Sequence, residues 1–268
     1  MGSGSATPYI AIDPSATDLA MVGFLFGIVI ILSYREQLEI GKTYLQAAVR
    51  CVVQLLLVGY LIEYIFELSR WYFVVALLVA MSVIAARAGT ARITSKTKNL
   101  GLMVWIAIFL GTIIDTVIVT EVVLKIDPWW NPRYLLPLAG MIMGNALNSG
   151  SMAGERFVSE LRNRKSEIET MLILGFSSQR ACIEMKRTAV RGALIPTFNA
   201  MFTVGLVHLP GMMTGQILGG VSPVTASKYQ IIVMFMVSST VLITALILVN
   251  LLQRQYFTEN HQLRYHLL

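Results

Sequence analysis

The sequence predicts an all-α, polytopic integral membrane protein of about seven transmembrane helices with a cytoplasmic helix-turn-helix coupling element. Of its 268 residues, 56% are apolar and only 13% are charged, and the mean hydropathy is +0.68. Apolar runs of about 20 residues, the length that crosses a bilayer, alternate with charged segments. One charged segment, 154–196, is about forty residues long and too polar to lie in hydrocarbon. The net charge of +6 favours no nucleic-acid partner, because the basic residues cluster in alternate loops.

Seven apolar stretches are the candidate spans. An N-terminal leader, 1–18, precedes them, and the long stretch 192–227 breaks near 209–211 at Leu-Pro-Gly. The stretches are 19–34, 43–62, 71–86, 99–120, 134–154, 192–227 and 229–253. The predicted organisation is therefore five helices over 19–153, a coupling segment over 154–191, two helices over 192–253 and a tail over 254–268.

Loop charge predicts the orientation in the membrane. The segments rich in Lys and Arg are 35–42, 87–98, 154–191 and 254–264. They follow the first, third, fifth and seventh spans, and basic loops are retained in the cytoplasm. We therefore expect an extracytoplasmic N-terminus, a cytoplasmic C-terminus and a cytoplasmic coupling segment, in the plasma (inner) membrane if the protein is bacterial.

The coupling segment has a helical apolar pattern with charged residues on its other faces. The apolar positions are Phe157, Leu161, Ile168 and Leu172. We expect this helix to stop at Gly175, since glycine adopts the left-handed C-terminal cap without a Cβ penalty. Ser177 or Ser178 can then cap a second helix, which would run through Gln179 toward Arg191.

Polar residues within the predicted spans are candidates for a translocation path. Gln46, Arg50 and Gln54 share one helix face, and Met141, Asn145, Asn148 and Met152 form a stripe along the fifth span. Thioether and amide groups can coordinate a passing metal ion. Structural hydrogen bonds between helices and ordinary packing are the commoner explanation of such residues.

Further candidates lie toward the predicted outer side. Asp115 and Glu121 are candidate metal ligands, since carboxylates suit hard cations, although ordinary interfacial charges explain them too. Met212 and Met213 occupy the Pro-Gly-Met-Met-Thr-Gly stretch, where an outer gate is expected. With Asn199, the candidate path comprises Arg50, Gln54, Met141, Asn145, Asn148, Met152, Asn199, Met212 and Met213.

Two short motifs resemble catalytic or nucleotide-binding signatures only superficially. Gly41-Lys42-Thr43 lacks the glycine that a phosphate-binding loop needs five residues earlier. Asn148-Ser149-Gly150, with His208 as the candidate base, is a poor match to an intramembrane protease. We therefore expect no catalytic residue and no cofactor on this chain.

The informative motif is Glu-Thr-Met-Leu-Ile-Leu-Gly at 169–175. It is similar to the E-A-A-x-x-x-G signature of ABC-transporter membrane subunits, with Thr170 and Met171 in place of two small residues. The flanking stretches are RYLLPLAGMIMGNA (133–146), ALIPT (193–197), TVGL (203–206), LPGMMTG (209–215) and KYQI (228–231). Together they resemble the iron-export ABC permease family of the Fet type, which includes plant aluminium-sensitivity membrane proteins, over about residues 19–265.

The resemblance implies a transport subunit that works with a separate ABC ATP-binding subunit, which would bind ATP and Mg. A permease homodimer with two ATPases is the expected assembly. The residues implied in ATPase coupling are Glu169, Gly175, Phe176, Ser177 and Gln179. Iron or a related metal is the expected cargo, with a nucleotide sugar such as UDP-glucose as the alternative. An ATP-independent channel or carrier is the alternative from another class.

Overall fold

The computed structural model describes residues 14–95 and 97–267, and over these residues the regular secondary structure is helical apart from two isolated β-bridges. A π-helical turn, Ile118–Val123, extends α4. The α-helices are α1 (Ala16–Arg35), α2 (Gly41–Leu68), α3 (Trp71–Thr90), α4 (Leu100–Val117), α5 (Pro132–Asn163), α6 (Lys165–Ile173), α7 (Ser178–Ala181), α8 (Ile183–Thr203), α9 (Gly211–Leu218) and α10 (Pro223–Tyr256). The predicted all-α class is confirmed.

The chain divides into two compact units. The first comprises the chain up to Ser69 together with Gly215–Ser222, and it contains α1 and α2. Ser15 starts α1 with a capping box, in which its hydroxyl accepts from the Asp18 N–H and its own N–H donates to the Asp18 carboxylate at 2.9 Å. Phe26 of α1 packs on Tyr44 of α2 with ring centroids 4.8 Å apart.

The second unit, Arg70–Thr214 and Pro223–Leu268, holds the main core. In its core α5 and α10 pack against each other and against α4 and α8. Fully buried side chains include Ile142, Phe157, Leu161, Val241 and Leu248. The helices approach closely at small residues, because a Cβ on Gly111 would stand 2.2 Å from Thr244 Oγ1 and one on Gly154 would stand 2.8 Å from Ile93 Cδ1.

Within the described residues, five helical stretches are long and apolar enough to cross a membrane: Thr17–Arg35, Gly41–Leu68, Trp71–Thr90, Leu100–Val123 and Pro223–Tyr256. The sequence predicted seven spans. The 32-residue α5 and the 21-residue α8 are long enough, but Asn, Ser and Gly residues dilute the apolar character of α5. A multi-pass integral membrane protein follows from the five, whereas the count of seven stays a prediction.

Several helices run past the boundaries drawn from the sequence. The fifth helix runs through the predicted span boundary near 154 to Asn163, and α8 begins at Ile183, inside the predicted coupling segment. The α5 helix continues because its buried face continues through Phe157, Val158 and Leu161. The predicted break near 209–211 is wider, since no helix covers 204–210. The predicted leader, 1–18, lies largely outside the described residues.

Candidate functional site

The turn after α6 has the geometry that the sequence predicted. Gly175 adopts a φ of +87°. Its N–H donates to Leu172 O at 3.0 Å, and the Phe176 N–H donates to Met171 O at 3.0 Å. This pair of hydrogen bonds is the Schellman motif, which satisfies the last carbonyls of a helix and needs a left-handed residue at this position. A rigid corner therefore follows α6.

Ser177 starts the next helix, as predicted, with its Oγ accepting from the Arg180 N–H at 3.4 Å. The second helix is not continuous toward Arg191. It forms the four-residue α7, breaks at Cys182, and resumes as α8. Cys182 is fully buried at this break, and burial raises the pKa of its thiol to about 12 because the thiolate would lose its hydration.

The tip of this corner is apolar and exposed. Ile173 is 86% exposed and Leu174 is 68% exposed, and Phe176 is exposed beside them. The neighbouring hollow is lined mainly by polar uncharged and apolar residues, and ion pairs farther along the segment join Arg164 to Glu167 and Arg187 to Glu184. An exposed apolar patch with polar neighbours is typical of a protein-docking site. We call residues 173–176 the apolar tip.

The C-terminal segment packs on this corner, whereas the sequence treated 254–268 as a tail. Ser178 Oγ lies 2.9 Å from His261 Nδ1, and the Ser178 N–H donates to the same nitrogen at 3.3 Å. Gln253 Nε2 of α10 donates to Ser178 O at 3.2 Å. Since a backbone N–H donates to His261 Nδ1, that nitrogen is the acceptor of the ring. These hydrogen bonds attach α7 to α10 and to the C-terminal segment.

Glu169 is the second attachment point of the C-terminal segment. The Tyr265 hydroxyl donates to Glu169 Oε1, and Lys165 Nζ lies 4.2 Å from the centroid of the Tyr265 ring. The hydrogen bond to Glu169 raises the pKa of Tyr265, because it favours the protonated phenol. The acid of the predicted signature is therefore held half-buried against the end of the chain.

The structure brings four of the five predicted coupling residues to the walls of two hollows. Glu169, Gly175 and Phe176 line a hollow of about 710 Å³ together with Tyr265. Gln179 lines a second hollow of about 590 Å³, whose other walls are α10 and the C-terminal segment. Ser177 contributes the cap. No sequence signal predicted that Gln253, His261 and Tyr265 contact the corner, and only the basic character of 254–264 marked that segment.

The polar stripe of α5 does not form one continuous lining. Asn145 Nδ2 donates to Met141 O within the helix at 2.9 Å. Asn148 Oδ1 accepts from Arg92 Nη1 at 2.6 Å, and Asn148 and Met152 line a shallow hollow of about 400 Å³ with Arg92. One half of the stripe is therefore engaged inside the helix, and the other half faces a cationic side chain.

Asp115 and Glu121, the candidate metal ligands, lie in different surroundings. Asp115 is buried, and its Oδ2 accepts from Ser239 Oγ at 2.8 Å and from Thr240 Oγ1, so its carboxylate joins α4 to α10. Glu121 is exposed in the π-helical turn. Among the described residues, no group of three or more His, Cys, Asp or Glu side chains is placed to hold a metal ion.

The other candidates lie on separate elements. Arg50 and Gln54 are exposed on α2 in the first unit, and Asn199 is exposed on α8. Met212 packs against the core, and Met213 lines a cavity beside α10. The residues named for one path are thus distributed over several faces, so the path itself stays a prediction.

The chain resembles proteins of bacteria and plants along most of its length. Residues 16–257 match the uncharacterised protein family UPF0014. A UPF0014 membrane protein of Synechocystis (slr1647) is 38% identical, covering 92% of this chain and 96% of the relative. The probable iron export permease protein FetB of Escherichia coli is 34% identical over 91% and 93% of the two chains.

A plant protein, ALUMINUM SENSITIVE 3 of Arabidopsis thaliana, is 32% identical over 88% of this chain and 85% of its own length. No solved structure matches the chain. Identities of this size over nearly complete chains, together with the apolar helices, show what kind of protein this is. The chain belongs to the UPF0014 family of membrane proteins.

Proposed function

We propose that this chain is the permease subunit of an ABC transporter and that a separate ATP-binding subunit docks on the apolar tip of the corner between α6 and α7. The observation that carries the proposal is the tip itself: Ile173, Leu174 and Phe176 are exposed on a rigid turn inside a charged segment. Burying that apolar surface against a partner would stabilise a complex. The FetB relative, named as a probable permease, supports the same assignment.

The proposed topology has seven spans. Beside the five stretches that are apolar enough on their own, α5 and the α8–α9 region would cross the membrane as the two more polar spans. The N-terminus would be extracytoplasmic, and the corner and the C-terminus would be cytoplasmic, where the ATPase is found. Two permeases and two ATPases would form the complex, and this chain would contribute no catalytic group.

Each coupling residue has a distinct role in this proposal. Gly175 sets the angle of the corner, Ser177 caps α7, and Phe176 presents apolar surface to the partner. Glu169 ties the corner to Tyr265, and Gln179 faces the hollow beside α10. When the ATPases close, the corner would move as one body, because its Schellman motif and cap leave it little freedom. That motion would pass directly to α8 and α10.

The proposed cargo is iron or a related metal ion, which would reach a path beside the polar residues of α5. A nucleotide sugar such as UDP-glucose, or another substrate of metal tolerance, is the second candidate. The relative named ALUMINUM SENSITIVE 3 favours that second reading only in part, because its name records a phenotype and no substrate. Asp115, held by two hydroxyl groups, would serve as a structural joint between α4 and α10 and not as a free ligand.

The test is co-purification of the chain with its cognate ATPase, followed by ATPase assays with Fe²⁺, other metal ions and UDP-glucose. We expect a stable complex and stimulation of ATP hydrolysis by one class of substrate. Substrate flux through proteoliposomes that contain this chain without any ATPase would favour a channel or carrier instead.

A further inference from the structure

A cavity lined by methionines lies beside α10 in the second unit. Its volume is about 300 Å³, and its walls include Met201 of α8, Met213 of α9 and Met234 of α10. These three side chains come from three different helices, so the cavity is a tertiary feature and not a stripe along one helix. Three methionines therefore line one partly open cavity.

The cavity is also lined by the amide of Gln230. This side chain is only 5% exposed, and its Oε1 has no hydrogen-bond partner among the described residues. A buried carbonyl oxygen without a partner is costly, by about 1–3 kcal/mol, and native proteins retain few of them. Gln230 lines the same cavity as the methionines, so a species bound there could contact this oxygen.

The side chains that line the cavity offer lone pairs and carry no charge. The hydroxyl of Ser227, which also lines the cavity, donates a hydrogen bond to Pro223 O at 2.9 Å. The remaining wall is apolar, and none of the described lining residues is acidic or basic. Hard cations such as Mg²⁺ and Fe³⁺ prefer charged oxygen ligands, whereas thioethers select soft ions of the Cu(I) type.

We propose that this cavity is a binding site for a soft, monovalent metal cation of the Cu(I) class, with the thioethers of Met201, Met213 and Met234 as ligands and Gln230 Oε1 as a supporting oxygen. An uncharged, largely apolar site suits an ion that carries one charge, because a higher charge would require compensating carboxylates. Binding belongs to this chain alone and requires neither the ATPase nor the orientation proposed above.

The experiment is a titration of the purified full-length chain in lipid nanodiscs with Ag(I), which is a redox-stable ion of the same class. Cys51 and Cys182 would also bind Ag(I), so both are first replaced by Ala. We expect about one Ag(I) per chain by calorimetry and metal analysis. Removing a supporting group of a metal site weakens affinity by about 10–100-fold, so Met201→Leu, Met213→Leu and Met234→Leu should each weaken it by at least about tenfold.

Met152→Leu is the matched control, because Met152 lies on α5 and lines a different hollow. Its affinity for Ag(I) should equal that of the parent. A thermal melt of each variant in the same nanodiscs separates lost binding from lost folding. The absence of saturable Ag(I) binding, or unchanged binding after all three cavity methionines are replaced by Leu, would overturn the site. Neither result bears on the ATPase assays of the proposed function.

Discussion

Buried polar groups are hydrogen-bonded at the corner between α6 and α7, whereas one of them lacks a partner in the methionine-lined cavity. At the corner, the buried Ser178 meets His261 through its hydroxyl and its N–H, and Gln253 reaches its carbonyl. In the cavity, the equally buried Gln230 keeps an unpartnered oxygen. Full pairing stiffens the corner, whereas the unpartnered oxygen of Gln230 leaves an acceptor for the ion proposed to bind there. Both regions use α10, which contributes Gln253 to the corner and Gln230 to the cavity.

The largest expected effect comes from breaking the corner with Gly175→Val. A β-branched side chain at a φ of +87° is strained whatever space surrounds it. We expect substrate-stimulated ATPase activity of the complex to fall by about tenfold or more, while the chain still folds in membranes. Gly192→Ala is the control, since Gly192 lies inside α8 with nothing near its missing Cβ. Full stimulated activity in Gly175→Val would remove the corner from the mechanism.

Two identical substitutions in α10, Gln253→Leu and Gln230→Leu, test the difference between the corner and the cavity directly. Gln253 and Gln230 are 8% and 5% exposed, so burial is matched. Gln253→Leu leaves Ser178 O without its side-chain donor and should lower the free energy of unfolding by about 1–3 kcal/mol. Gln230→Leu removes an unpartnered acceptor and should leave stability unchanged or higher. Thermal unfolding in one detergent measures both, and equal losses would refute the distinction.

A smaller effect is expected at Cys182, whose reactivity reports whether the corner opens in the folded chain. Burial holds the pKa of its thiol at about 12, so the neutral form persists through neutral and moderately alkaline pH. The unfolded thiol ionises near its ordinary value, so this group's contribution to stability is lost as the pH rises above that value toward 12. Alkylation at pH 8, followed by mass spectrometry, should label Cys182 only after unfolding. Rapid labelling of the native chain would show that α7 opens.

The smallest effect concerns Tyr265 and Glu169. The raised pKa of Tyr265 means that this contact is present below the ordinary tyrosine value and is lost as the pH rises through the raised value. An ultraviolet titration of phenolate should therefore lose a component that ionises above the ordinary tyrosine value in Tyr265→Phe. Tyr60→Phe, on α2, is a control that leaves this component in place. A Tyr265→Phe titration identical to that of the parent would show that the contact does not form.

The corner could be predicted because its signals are local. A glycine six residues after Glu169 and a serine two residues later fix the cap and the restart of the helix through hydrogen bonds between near neighbours. The predicted membrane boundary near Glu155 is not a helix end, because a buried apolar face carries α5 on to Asn163.

The contacts of the C-terminal segment and the cavity could not be predicted in the same way. Ser178 and His261 are 83 positions apart, and Asp115 and Thr240 are 125 apart. Pairings at such distances depend on how the helices pack, and neither hydrophobic periodicity nor capping signals encode them. Met201, Met213 and Met234 look like ordinary packing residues in the sequence, since methionine fills cores of many shapes. Only the fold brings them to one space.

The most direct test of the docking surface is photo-crosslinking from two matched positions. A photoreactive amino acid replaces Ile173 at the apolar tip or Leu206 in the connection after α8; these residues are 86% and 89% exposed. With the cognate ATPase co-expressed in membranes, position 173 should crosslink to the ATPase and position 206 should not. Crosslinking from position 206 and not from position 173 would contradict the account.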